Sequence, residues 1–135
     1  MKRKVVIAAL AAAVSGCVST PPPTKSTPYT LSASEIDLLK KGVTATLKDP
    51  LSALYGDKIV ASQASGAVAI TICGTVNAKN SFGGYTGAKP FMVEMLPGSF
   101  FGNNGMPSFT VQAMGGDDFA TNYTINKCAQ AGLVV

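Results

Sequence analysis

Few side chains in this sequence can carry acid–base or nucleophilic chemistry. The chain contains no histidine, so the commonest proton shuttle and the commonest transition-metal ligand of proteins are both missing. Its three cysteines are Cys17, Cys73 and Cys128. Hydrolase constellations of the Ser-His-Asp and Cys-His types are therefore impossible within this chain, and a zinc site of the Cys/His type is excluded as well.

Carboxylates and one lysine are the remaining candidates for catalysis. Asp117 and Asp118 form the only adjacent acidic pair, but neighbouring residues seldom face one cleft, and a favourable charge at the start of a helix explains both. Glu94 lies alone in an apolar strand, where alternation turns it toward solvent. An enzyme that uses Lys79, Glu94 or Asp117 is the weakest hypothesis, so we predict a non-enzymatic protein without a metal or a cofactor.

The first residues have the layout of a secretory signal. Three basic residues precede an apolar run over residues 5–14, which is too short to cross a bilayer as a helix. The segment Val14-Ser15-Gly16-Cys17 resembles a bacterial lipobox, whose cysteine is acylated and becomes the new amino terminus. The resemblance implies that residues 1–16 are removed and that Cys17 anchors the protein in a membrane. A cleaved signal with an incidental cysteine is the alternative.

The residues after Cys17 bear on location. Enteric lipoproteins that stay in the inner membrane often carry aspartate directly after the anchor, whereas this chain has Val18, so the resemblance implies the outer membrane of the cell envelope. Residues 17–30 contain four prolines and little apolar content. We predict that they form an extended tether.

Removal of the signal changes the charge of the chain. The full sequence has 11 basic and 7 acidic residues, a net charge of +4, and three of the basic residues belong to the signal. The remainder has eight lysines, no arginine and a net charge of +1. These lysines form no basic stripe of the kind that follows phosphates, so we expect no binding of nucleic acid.

The cysteines predict a disulfide once Cys17 is taken as the acylated residue. Cys73 and Cys128 are then the two remaining thiols of a protein in an oxidising compartment, where a pair is expected to close. The bond would close a loop of 128 − 73 = 55 positions, for which chain entropy gives about 4 kcal/mol of stabilisation. Two buried free thiols are the alternative.

Residues 31–135 predict a single α+β domain. Ser32 and Glu35 have the spacing of a capping box, and apolar residues at helical spacing follow until Pro50 ends the helix. The residues after this helix predict an antiparallel sheet of about four strands. Two of them lie in residues 57–77, and the others are Lys89–Leu96 and Ser108–Met114. A C-terminal helix over residues 117–131 completes the domain.

The strand that contains Cys73 has two unlike faces. Val68, Ile70, Ile72 and Val76 share one face, while small residues and Cys73 share the other. A face of small residues lets another backbone come close. We therefore predict that the C-terminal helix, which carries Cys128, packs on this face and is linked to it by the disulfide, while the first helix covers another apolar surface.

The loop of residues 77–87 has the most unusual composition of any segment of the chain. Four of its residues tolerate left-handed backbone, which favours an ordered loop with sharp bends: Asn80, Gly83, Gly84 and Gly87. We expect Phe82 or Tyr85 to fold back onto the core.

A motif that includes this loop resembles a group of small secreted or lipid-anchored bacterial proteins of unassigned function. Upstream, the resemblance begins at residues 49–53. The matching positions in and around the loop are Cys73, Gly74, Val76, Asn77, Lys79, Asn80, Phe82, Gly83, Gly84, Tyr85, Gly87, Pro90 and Phe91. The resemblance implies no particular activity.

A recognition surface is the functional alternative for the loop. Asn77, Lys79, Asn80, Phe82 and Tyr85 would then contact a protein or a glycan of the envelope, since aromatic residues suit such contacts. We predict a non-enzymatic, lipid-anchored protein of the cell envelope, whose periplasm-facing or surface domain binds a partner or has a structural role. A tethered inhibitor or ligand-binding module that acts through residues 77–87 is the second hypothesis.

Overall fold

The computed structural model describes residues 25–100 and 105–135, so the predicted signal, Cys17 and most of the predicted tether lie outside the described residues. One five-stranded antiparallel sheet has the strand order β1-β2-β3-β4-β5. The elements are β1 (Ser26–Tyr29), α1 (Ala33–Thr44), β2 (Leu54–Ala64), β3 (Ile70–Asn77), β4 (Lys89–Leu96), β5 (Ser108–Met114) and α2 (Asp118–Gln130), with short 3-10 helices at Pro50–Ser52 and Gly98–Phe100. None of the described helices is long and apolar enough to span a membrane.

The α+β class is confirmed, but the sheet has five strands rather than four. The additional strand is β1, which falls within the segment that the sequence assigns to the tether. Ser26–Tyr29 pairs antiparallel with the last residues of β2, from Ala64 to Ala61. Four residues that include Pro28 give little strand signal, and proline is tolerated here because β1 lies at the edge of the sheet.

Strand β2 begins earlier than its sequence pattern predicts. The pairing with β3 shifts between Tyr55 and Ile59, so three residues bulge out opposite Thr75. A side chain at Gly56, within this bulge, would collide with the side chain of Thr75. The bulge breaks the alternation of period two, so the sequence pattern predicts the strand only from residue 57 onward.

Helix α1 begins at the predicted capping box. The Ser32 hydroxyl accepts a hydrogen bond from the Glu35 amide (3.3 Å), and the Glu35 carboxylate accepts one from the Ser32 amide (2.8 Å). Partial burial raises the pKa of Glu35, but hydrogen bonds from Ser32 and from the Tyr29 hydroxyl outweigh this effect, so the pKa lies below its ordinary value. At the other end of α1, the Tyr55 hydroxyl donates to the Lys40 carbonyl (2.8 Å).

The main core lies between α1 and one face of the sheet. Leu39 and Val43 of α1 are fully buried against the centre of β3 and β4. The other buried members of this cluster are Ala61, Ile70, Ile72, Val76, Phe91, Val93 and Met95. Gly74 makes room for the Phe91 ring, since a Cβ there would lie 2.6 Å from a ring carbon.

Helix α2 covers the opposite face of the sheet, as predicted, and Cys73 of β3 is bonded to Cys128 of α2. The helix ends in a Schellman turn, with Gly132 at φ +76 and a hydrogen bond from the Leu133 amide to the Cys128 carbonyl (2.9 Å). The carbonyl of Ala131 accepts hydrogen bonds from the hydroxyls of Ser62 (2.7 Å) and Ser26 (3.0 Å). These bonds fix the C-terminal turn of α2 to the edge of the sheet.

The register of the strands defines two ends of the sheet. At one end, which we call the Ser26 end, Ser26 pairs with Ala64 and Ile70 pairs with Met95. At the opposite end, the loop end, Leu54 pairs with Asn77, and Phe91 pairs with Met114. The eight residues of β3 connect the two ends and span roughly 25 Å at the usual rise of a strand.

Candidate functional site

The loop of residues 77–87 projects from the loop end, where it joins β3 to β4. Lys79 and Tyr85 form an isolated antiparallel bridge across it. Beyond this bridge, the Asn80 amide donates to the Gly84 carbonyl (2.9 Å), and the Asn80 carbonyl accepts from the Gly83 amide (3.0 Å). The loop is therefore a short hairpin with a tight turn at its tip.

The side chain of Asn80 stabilises this turn from within. Its Oδ1 accepts hydrogen bonds from the amides of Phe82 (2.9 Å) and Gly84 (3.1 Å). Such bonds from an asparagine to nearby amides are a common way of fixing a turn. Gly83 has φ +83, a left-handed conformation that glycine adopts without strain. Asn80 thus shapes the loop rather than offering its oxygen to a partner.

The base of the loop is attached to the body of the domain. The amide of Lys79 donates to the hydroxyl of Ser52 (2.8 Å), which in turn donates to the carbonyl of Asp49 (2.8 Å). Ser52 is buried, so this contact is shielded from water. The amide of Thr86 donates to the carbonyl of Ala78 (3.4 Å) on the other strand of the hairpin.

The tip of the loop exposes an aromatic ring. Phe82 is 96% exposed and Tyr85 is 48% exposed, so neither ring folds back onto the core, and the expectation that one of them would do so was wrong. The hydrogen bonds of Asn80 and Ser52 replace the hydrophobic contact that was expected to order the loop. A large apolar side chain is thereby held in water on a hydrogen-bonded backbone.

Lys79 and Tyr85 form one polar flank of the hairpin. The Lys79 ammonium lies 5.5 Å from the centroid of the Tyr85 ring, within the range of a cation–π contact. The tyrosine hydroxyl and the ammonium group therefore occupy the same side of the hairpin. They can supply polar contacts beside the apolar tip at Phe82.

The structure separates Asn77 from the other predicted contact residues. Asn77 is the last residue of β3 and is partly buried. Its Oδ1 atom is buried, and no donor in residues 25–100 or 105–135 reaches it. Lys79, Phe82 and Tyr85 are brought together on the hairpin, whereas Asn77 lies at its base and is only partly exposed.

Three further apolar side chains are exposed at the loop end, and the sequence did not predict their exposure. Leu51, in the 3-10 helix that carries Ser52, is fully exposed, and Leu54 at the start of β2 is 56% exposed. Phe119 in the first turn of α2 is 80% exposed and stacks on Tyr123, with ring centroids 6.5 Å apart. Each residue alone resembles an ordinary core position, so only the fold reveals that they share one end.

The residues considered for catalysis have structural partners. The Asp117 carboxylate accepts a hydrogen bond from the Ala120 amide (2.8 Å) and caps α2. The Glu94 carboxylate accepts one from the side chain of Gln112 (2.7 Å) in the neighbouring strand. Glu94 pairs with Thr71 near the Ser26 end of the sheet, away from the loop that carries Lys79. Within the described part of the chain, no group of three or more acidic, cysteine or histidine side chains could hold a metal ion.

Comparison of the chain with models of protein families, with curated proteins and with solved structures gives no match. The resemblance of residues 49–91 to small secreted or lipid-anchored bacterial proteins of unassigned function stays a prediction.

Proposed function

We propose that this chain is a lipid-anchored protein of the cell envelope whose domain binds a partner protein through the hairpin of residues 77–87. The observation that carries the proposal is the exposure of Phe82 at the tip of a hairpin whose backbone is fixed by hydrogen bonds. A protein that only has to fold gains nothing from an aromatic ring held in water. Burial of such a ring against a partner contributes about 1.5 to 3 kcal/mol.

The arrangement of the sheet supports an orientation in which the hairpin faces away from the membrane. The chain enters the domain at the Ser26 end, and the hairpin lies at the opposite end of β3. A domain anchored through Cys17 would therefore present Phe82 away from the membrane. The disulfide between Cys73 and Cys128 also supports a location outside the cytoplasm, because such bonds persist in oxidising compartments.

A protein partner is favoured over a glycan by the composition of the tip. Phe82 has no polar group, and Leu51 and Leu54 at the same end are also apolar. Such side chains fit the desolvated centre of a protein interface, with Lys79 and Tyr85 suited to its rim. Because the hairpin is already ordered, little conformational entropy is lost on binding.

A tethered inhibitor is the second candidate, and the shape of the hairpin favours it. A fixed hairpin with an aromatic tip is suited to insertion into the cleft of an envelope enzyme. The distinguishing measurement is the turnover of the captured partner, which falls on addition of this chain if the inhibitor hypothesis is correct. A partner without catalytic activity, or one whose turnover is unchanged, rules this candidate out.

Photocrosslinking in cells tests the contact surface. A photoreactive residue replaces Tyr85 in the full-length chain, and a matched chain carries it at Val68, which is 43% exposed in the turn at the Ser26 end. We expect a discrete protein adduct from position 85 only, and its yield should fall when Phe82→Ala is added. No adduct from position 85, or equal adducts from both positions, would contradict the proposal.

Membrane fractionation tests the anchor separately. The full-length chain should partition with membranes, and Cys17→Ala should release it into the soluble fraction. Equal partitioning of both chains would disprove anchoring through Cys17, whatever the crosslinking shows.

A further inference from the structure

A second feature of the domain is a stretch of strand edge on β2 that no other strand covers. β2 has eleven residues, whereas β1 has four and pairs only with the last four residues of β2. The chain leaves the sheet after Tyr29 and enters α1 at Ala33. Within the part of the chain that the structure describes, residues 54–60 of β2 therefore have no neighbouring strand on the side away from β3.

This edge is complementary to another extended backbone. Along the edge of an antiparallel sheet, every second residue directs its N–H and C=O groups outward. Apart from the pairing inside the sheet, residues 54–60 make no backbone hydrogen bond with the described residues. The alternating partial charges of these outward groups match those of an added strand, which is a common way of binding a peptide.

A cavity of about 490 Å³ lies beside the edge, at the point where β1 ends. Tyr29 and Leu31 line it from the end of β1 and the segment that follows, Ile36 lines it from α1, and Leu133 lines it from the residues after α2. Its volume is within the range found for ligand sites. The cavity therefore offers room for side chains next to the open backbone.

The apolar walls of this cavity belong to both faces of the sheet. Ile59 and Leu31 pack against the core cluster under α1, whereas Val60 packs against the cluster under α2 that includes Leu133. All four residues line the same cavity, so it extends around the edge from one face to the other. Because successive side chains of a strand point to opposite faces, two consecutive apolar side chains of an added strand would each meet an apolar wall.

The rest of the open edge is protected from chance pairing. Asp57 and Lys58 are exposed, and both lie in the bulge between Tyr55 and Ile59. Charged side chains and bulges hinder the pairing of a sheet edge with an unrelated strand. The part that can be paired is therefore short and lies next to the cavity, so the side chains that enter the cavity determine which strand is accepted.

We propose that the edge of β2 at Ile59 and Val60 binds an extended peptide segment of a partner protein, with two consecutive apolar side chains in the segment. The backbone of the segment pairs with β2, and its two apolar side chains enter the cavity on opposite faces of the sheet. The inference goes beyond the proposed function and depends neither on the lipid anchor nor on the hairpin of residues 77–87.

An NMR titration of the full-length chain with Cys17→Ala, which removes the predicted acylation site, tests this inference. The probe is acetyl-Thr-Val-Ile-Thr-amide, and acetyl-Thr-Asn-Asn-Thr-amide is the polar match. The amides of Ile59 and Val60 report on the edge, and the amide of Gly83 at the hairpin tip serves as the internal reference. We expect saturable shifts at the edge with the apolar peptide alone. No saturable shift, or equal affinity for the two peptides, would overturn the inference.

Two N-methylated forms of the apolar probe test the backbone pairing itself. One form is methylated at the valine nitrogen and the other at the isoleucine nitrogen. Because consecutive amides of an extended chain point to opposite sides, one form should bind about tenfold more weakly, while the other should keep its affinity within about threefold. Equal affinities of the two forms would mean that no strand pairing occurs.

A pair of isoleucine variants tests the cavity. Ile36→Ala shortens a side chain that lines the cavity from α1 and should weaken binding of the apolar peptide about threefold to tenfold. Ile125→Ala makes the same change on α2, at a position that is 42% exposed and lies outside the cavity, and should leave binding unchanged. Equal effects of the two variants would contradict the assignment of the cavity. The methylated peptides need no change in the protein, so they decide the question if Ile36→Ala does not fold.

Sedimentation distinguishes a partner protein from a second copy of this chain. The chain without peptide should sediment as a monomer. A dimer that the apolar peptide dissociates would mean that a second copy occupies the edge, and the proposal of a partner protein would be wrong.

The hairpin and the edge can fail independently. Phe82 and Tyr85 do not line the cavity, so Phe82→Ala should retain binding of the apolar peptide. Loss of the protein adduct at position 85 with retained peptide binding would support the edge as a separate site. Loss of peptide binding in Phe82→Ala would contradict it.

Discussion

The two faces of the sheet are held to their helices in different ways. The face under α1 buries nine residues in one cluster, including Leu39, Val43 and Phe91. The cluster between the sheet and α2 has three buried apolar residues, and two of them, Cys73 and Cys128, form the disulfide. One helix is therefore held mainly by burial of apolar surface, and the other depends on a covalent bond, because its face offers too little apolar surface.

The hairpin differs from both faces. Its order comes from hydrogen bonds of Asn80 and Ser52, and the aromatic side chain at its tip, Phe82, is almost fully exposed. Mutations at the faces should therefore change stability, whereas mutations at the tip should change binding. The following predictions test this division, from the largest expected effect to the smallest.

Loss of the disulfide should have the largest effect. The double substitution Cys73→Ala with Cys128→Ala should lower the free energy of unfolding by about 4 kcal/mol, because the bond restricts a long loop of the unfolded chain. Denaturant unfolding of the oxidised wild type and the variant measures the difference. Free thiols in the native protein, or an equal stability after reduction, would contradict the account of the α2 face.

Truncation in the α1 face should come next. Leu39→Ala removes a fully buried side chain and should lower the free energy of unfolding by about 3 kcal/mol. The matched control is Leu51→Ala, at a fully exposed leucine, which should stay within about 0.5 kcal/mol of the wild type. Similar losses in both variants would show that burial does not explain how α1 is held.

The cap of α2 should contribute less. Asp117→Ala removes the acceptor of the Ala120 amide and should cost about 1 kcal/mol of stability. The neighbouring substitution Asp118→Ala also removes one negative charge, at an exposed position, and should have a smaller effect. Thermal unfolding of the two variants compares them, and a larger loss from Asp118→Ala would mean that charge rather than capping dominates.

The pH dependence from Glu35 should be the smallest effect. Its pKa is lower in the folded chain than the ordinary value of 4.5, so the carboxylate contributes stability above that pH. The contribution is lost as the pH falls through the lower folded value. Unfolding of wild type and Glu35→Gln should therefore differ at neutral pH and converge in acid. A difference that grows as the pH falls would have the wrong sign.

Much of the fold can be predicted from the sequence because its signals are local. Ser32 and Glu35 mark the start of α1, and the alternation around Cys73 separates the two faces of β3. The missed features depend on contacts between distant residues. β1 becomes a strand only because it pairs with the outer edge of β2, at Ala61 to Ala64, and the bulge at Gly56 packs against the side chain of Thr75.

The candidate site could be predicted only in part. The spacing of Lys79, Phe82 and Tyr85 within one loop placed them together, and they do share one hairpin. The exposure of Phe82 depends on two hydrogen bonds of Asn80 that no pattern specifies.

The most direct test of the central claim measures binding and stability of Phe82→Ala together. The partner identified by crosslinking is titrated with wild type and with the variant, and the free energy of unfolding is determined for both chains. The account predicts an affinity lowered by about 30-fold with a stability within about 0.5 kcal/mol of the wild type. An unchanged affinity, or a loss of stability comparable to that of Leu39→Ala, would show that Phe82 serves the fold rather than a partner.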